Sequence, residues 1–131
     1  MKKLLILQMR PEDVPTESEF MTILRLGGVD KNQVHRIRVE QGKEPDVDLD
    51  DYFAIIAGGS PFDISCPPDK KSEAQKRVES FFSRLFDKVI PNDFPFLGAC
   101  SGNGLLGNYC GVKISGTFGE PIGTVMIHIT E

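Results

Sequence analysis

Residues 95–104 read PFLGACSGNG, with Cys100 set among small neighbours: Gly98 two before it, Gly102 two after, Gly104 four after. An apolar run precedes the cysteine and a helix-like segment follows it. Gly98-Ala99-Cys100-Ser101-Gly102 therefore has the form G-x-nucleophile-x-G, the nucleophile-elbow pattern with a thiol in place of a hydroxyl. A strand that turns sharply into a helix holds its central residue in a strained conformation, and side chains two positions either side would collide. Such a turn lifts Sγ above the sheet and aims the first amides of the helix, those of Ser101 and Gly102, at the same space. Those amides and the helix dipole favour a thiolate and an oxyanion. The plainer alternative is a buried free cysteine, and that reading is kept for Cys66 and Cys110.

Two further glycine patterns compete for attention. Gly58-Gly59-Ser60-Pro61 ends an earlier apolar run, where glycine is a plain strand terminator or lets backbone amides approach a substrate as a second oxyanion donor. Beside the elbow the second reading is preferred. Gly102 to Gly107 also matches G-x-G-x-x-G, a pyrophosphate-binding pattern. It falls in a late turn, however, and the acidic residue such a site needs would have to be Glu120, inside a glycine-rich loop.

The elements that must position these residues are legible from periodicity. Residues 3–8, KLLILQ, form a continuous apolar run, as expected of a strand buried on both faces. Thr16 with Glu19 reads as a capping box opening a helix that carries Phe20, Ile23 and Leu24 and ends at Gly27-Gly28. Residues 34–39 alternate as a strand, 41–50 form a polar acidic connection, and 52–59 form a second buried strand. Ser72 with Gln75 opens the most regular helix. Val78, Phe81, Phe82, Leu85, Phe86, Val89 and Ile90 follow at i, i+3, i+4, i+7, i+8, i+11 and i+12, a stripe that lies on a sheet. Pro91 ends it, FPFLGAC is the next strand, and 101–110 the next helix. Residues 123–130 alternate as a final strand with Val125, Ile127 and Ile129 inward. The order β-α-β-β-α-β-α-β predicts an α/β domain of three layers, a mostly parallel sheet with helices on both faces. Its ligands should bind beyond the carboxyl ends of the strands, near the topological switch point.

Composition narrows the setting. The 131 residues suit one domain, 1–131, and 40% apolar with 26% charged residues are ordinary globular values. A formal charge of −4 argues against a nucleic-acid surface. Three cysteines without C-x-x-C spacing argue against disulfide or zinc frameworks, so no metal is expected. The N-terminal apolar stretch is too short for a signal peptide and nothing approaches a membrane span; the expectation is a cytoplasmic protein without membrane contact.

YFAIIAGGSP (52–61), the capped helix after it, PFLGACSGNGLL (95–106) and GTFGEPIGTV (116–125) together resemble a class I glutamine amidotransferase domain of the flavodoxin-like type, and the resemblance follows the family's element order from Met1 onward. By that likeness Cys100 attacks the side-chain amide of glutamine or a related amide to form a thioester and release ammonia to a synthase partner. Gly58, Gly59, Ser101 and Gly102 surround the developing oxyanion, and no cofactor is needed. Two positions depart from the family pattern. Its glutamine four residues after the nucleophile is Gly104 here, and its H-x-E base, which lies well beyond the elbow, has no counterpart up to Glu131.

Neither His35, which opens an early strand, nor His128, in H-x-x-E spacing on the outward face of the last strand, replaces that base. The expectation is a domain truncated at its C-terminus, with little glutaminase activity on its own and an exposed sheet edge through which a second copy could pair. The competing readings are a degenerate homologue acting as a binding or regulatory module, and another cysteine hydrolase of the same sheet type. The latter would need an acidic partner near the cysteine and a histidine soon after it, and residues 100–110 offer neither.

Overall fold

The computed structural model describes residues 1–42, 46–119 and 123–131. Four strands, β1 (Lys3–Gln8), β2 (Val34–Arg38), β3 (Tyr52–Ala57) and β4 (Phe96–Gly98), form one sheet in the order β2-β1-β3-β4. Every pairing is parallel, with Leu5 opposite His35 and Ile55, and Ala57 opposite Gly98. The chain moves from β1 outward to β2, then returns across β1 to β3, so the switch point lies between the carboxyl ends of β1 and β3.

Helices α1 (Asp13–Gly27), α2 (Glu73–Val89) and α3 (Ser101–Tyr109) complete the three layers. Alternation along β1 assigns the faces. Leu5 and Leu7 point into the larger core with α2 and α3, whereas Leu4 and Ile6 point toward Phe20 and Leu24 of α1. The α2 stripe is the centre of the larger core: Phe82 and Phe86 are wholly buried, and the Phe86 ring meets Phe96 edge-on at 5.1 Å. Burying each such ring is worth about 2–3 kcal/mol. Ser72 caps α2 by accepting from the Gln75 N–H at 3.1 Å. The box is half formed, because the Gln75 side chain donates to the Asp63 carbonyl instead.

Three sequence expectations are corrected. The pair Thr16 and Glu19 does not open α1. That helix begins after Glu12, and Thr16 sits inside its first turn, with its hydroxyl donating to the Arg10 carbonyl at 3.0 Å and to that of Glu12. Ile90, assigned to the buried stripe, is the C-cap of α2 and faces outward. Residues 123–131 form no strand: Val125, Ile127 and Ile129 are 59%, 77% and 92% exposed. Alternation records what a strand would bury, but a ladder also needs a partner, and no described strand pairs with this segment. His128, placed on an outward strand face by the sequence, therefore lies in exposed, irregular chain. Parts of the acidic connection (43–45) and of GTFGEPIGTV (120–122, including Glu120) lie outside the described residues.

Candidate active site

β4 ends at Gly98 and α3 begins at Ser101, leaving two residues to reverse the chain. Cys100 takes the turn with φ 52° and ψ −110°, a sparsely populated region for a residue with a β-carbon. Its side chain is exposed. The bend is enforced from both sides. An added β-carbon on Gly98 would lie 2.5 Å from the Gly102 carbonyl carbon, and one on Gly102 would lie 2.6 Å from the Ala57 carbonyl oxygen. Both obstacles are backbone, so the first turn of α3 can press onto β3 and β4 only with glycine at these positions.

The elbow is tied to the end of β3. The Ala99 N–H donates to the Ala57 carbonyl at 2.9 Å, and the Gly102 N–H to the Gly58 carbonyl at 3.2 Å. The buried Ser101 hydroxyl accepts from the Ser60 N–H at 3.0 Å and pairs with the Ser60 hydroxyl at 2.8 Å. The predicted group Cys100, Ser101, Gly102, Gly58 and Gly59 is thus brought together, but its amides are not equivalent. That of Gly102 is occupied within the fold. Ser101, as the first residue of α3, carries one of the amides a helix leaves without an internal acceptor.

The Gly59 amide is engaged by Glu19, whose spacing from Thr16 reads as a helix cap. Glu19 reaches across from α1, and its Oε2 accepts from the Gly59 N–H at 3.0 Å. Arg10, just beyond β1, places Nε 3.5 Å from the same oxygen. Gln8, fully buried at the end of β1, donates to Glu19 Oε1 at 2.9 Å and to the Thr16 carbonyl at 2.7 Å, and accepts from Arg36 Nε at 2.6 Å. The two glycines at 58 and 59 accommodate these side chains. A β-carbon on Gly58 would lie 2.4 Å from Glu19 Oε1, and one on Gly59 would lie 2.5 Å from Arg10 Nη2 and 3.5 Å from Cys100 Cβ. A buried glutamine ending an otherwise apolar first strand was the available signal, since polar residues at that edge of a parallel sheet face the ligand crevice.

Other candidates fall elsewhere. His35 and the Tyr52 hydroxyl share a hydrogen bond of 2.5 Å, with rings stacked at 5.8 Å, where β2 and β3 begin and thus at the opposite end of the sheet from Cys100. Gly104 and Gly107 lie within α3 rather than in a loop before it, so the G-x-G-x-x-G run forms no phosphate loop. At Gly104 a β-carbon would meet Ile64 Cδ1 at 2.7 Å, so the place where the family carries glutamine is filled by hydrocarbon from the 60–66 loop. Cys66 is half-buried; Cys110, expected in a core, is exposed at the C-cap of α3. Among the described residues no three His, Cys, Asp or Glu side chains are grouped to hold a metal ion, and no helix is long and apolar enough to cross a membrane.

A glutamine amidotransferase of known structure from Thermotoga maritima shares this architecture. It superimposes with a TM-score of 0.57 over 85% of this chain, at 17% sequence identity. The chain spans 44% of that protein's length. At this identity the likeness establishes the α/β, flavodoxin-like fold alone. No family model and no curated protein matches the sequence.

Proposed function

We propose that this chain carries a cysteine acyl-transfer site of the glutamine amidotransferase type, with Cys100 as the nucleophile toward an amide carbonyl. The observation that carries the reading is the exposed Cys100 thiol on a positive-φ bend at the start of a helix, beside Gly59. The thiolate adds to the amide carbon, the oxyanion is met by the Ser101 amide, and collapse expels ammonia to leave a thioester. Each such donor is worth about 10²–10³ in rate. Glutamine is the substrate that the family resemblance implies.

The leaving ammonia needs a proton donor, and neither histidine of the chain serves: His35 is bound to Tyr52 at the far end of the sheet, and His128 lies in exposed chain. On this reading neither histidine is the general acid, and the glutaminase activity of these 131 residues assayed alone should be low.

A second reading is a non-catalytic binding module that keeps the elbow as scaffold. Ile64 against Gly104 favours it, because no side chain is left there to hydrogen-bond glutamine. Labelling with a glutamine-like diazoketone separates the two. The catalytic reading expects Cys100 to be modified ahead of Cys66 and Cys110, with excess glutamine slowing that reaction alone. Equal labelling of Cys66 and Cys100, indifferent to glutamine, leaves the scaffold reading standing.

A further inference from the structure

One oxygen of Glu19 lies between two groups that commonly bind carboxylates, a backbone N–H and a guanidinium. Its other oxygen is held by Gln8, which is locked in turn by the Thr16 carbonyl and Arg36. The arrangement sits at the switch point between β1 and β3, where a sheet of this order receives ligands. It also adjoins the thiol: Arg10 Nη2 and Cys100 Cβ both come within 3.5 Å of the point a Gly59 β-carbon would occupy. The glycines at 58 and 59 keep this space open, and the chain's own carboxylate fills it.

We infer that Arg10 and the Gly59 N–H form a carboxylate-binding site beside Cys100 and that Glu19 is its tethered occupant, so that the group the site admits is an anionic, carboxylate-bearing molecule that displaces Glu19. The inference deepens the proposed function and rests on Cys100 being the reactive group. Glu19 is a positioning residue here: it neutralises Arg10 and takes the Gly59 amide until a ligand carboxylate replaces it. Displacement exchanges one carboxylate for another on the same donors, so Arg10 stays paired, while Glu19 keeps only the Gln8 amide unless it swings to solvent.

The test reads local charge at the thiol of the full chain. Iodoacetate and iodoacetamide alkylate cysteine by the same displacement of iodide and differ in the carboxylate. The ratio of their rates at Cys100, measured by peptide mass mapping, reports the field there, with Cys66 and Cys110 in the same chain as internal references. Glu19→Gln keeps the packing and an acceptor but removes the negative charge, and should raise the iodoacetate-to-iodoacetamide ratio at Cys100 by about threefold to tenfold at low salt. Arg10→Gln should lower it by a similar factor, so the pair of variants works even if one fails to fold. Neither should move the ratio at Cys66. A ratio at Cys100 that ignores both substitutions overturns the carboxylate site while leaving Cys100 as nucleophile. A Cys100 inert to both reagents overturns the nucleophile reading, and this inference with it.

Discussion

At the end of β4 glycine makes room for backbone; at the end of β3, its neighbour in the sheet, glycine makes room for side chains. Added β-carbons on Gly98 and Gly102 would meet main-chain atoms of α3 and β3 at 2.5 and 2.6 Å. Those at Gly58 and Gly59 would meet the Glu19 carboxylate at 2.4 Å and the Arg10 guanidinium at 2.5 Å. The distances match, but the obstacles differ in stiffness. A carbonyl held in the first turn of α3 or at the end of β3 cannot retreat without moving backbone, whereas the end of a glutamate or arginine can rotate away. The elbow is thus a fixed structure that aims a thiol, and the Gly58-Gly59 turn is an adjustable one whose occupant can change. None of the four needs positive φ, so space alone decides the residue type.

The largest expected effect is on the rigid side. Gly98→Ala or Gly102→Ala should destabilise the fold by about 2–3 kcal/mol through overpacking, seen as a lower urea midpoint at unchanged slope. A loss below about 0.5 kcal/mol at both positions would mean that α3 does not press on the sheet as described.

The next effect isolates the bend itself. Cys100→Gly should be more stable than Cys100→Ala by about 1–2 kcal/mol, because glycine relieves the strain at φ 52° that alanine retains. Thermal unfolding of the two variants side by side measures it. Equal stability would remove strain from the account of why this turn carries a thiol.

The smallest effect belongs to the adjustable turn. Gly58→Ala and Gly59→Ala should each cost less than about 1 kcal/mol in the same urea titration, since Glu19 and Arg10 move aside. A loss as large as that of Gly98→Ala would show these side chains to be as immovable as backbone and would blur the contrast.

Much of this is legible in the sequence. The α2 stripe from Val78 to Val89 needed only its 3.6-residue spacing, and the apolar run of β1 only its continuity, because burial on both faces leaves no other pattern. The elbow was legible for the same local reason: a strand, a bend and a helix within a few residues leave room for nothing larger than hydrogen at 98 and 102. The tail at 123–131 shows the limit of local reading. Its alternation is as regular as that of β2, yet a strand exists only with its hydrogen-bonding partner, and partnership is not written in one segment.

Glu19 shows a deeper limit. Its spacing from Thr16 fits a capping box, and nothing local says otherwise; its carboxylate is instead drawn to an amide forty residues away in the chain. Sequence by itself determined the layers, the strand–helix alternation and the glycine-flanked cysteine, all of which follow from periodicity and sterics over short spans. Tertiary structure alone decided which charged groups meet that cysteine, because the carboxyl ends of parallel strands converge from distant stretches of chain, and electrostatic contact depends on that convergence and not on spacing along the backbone.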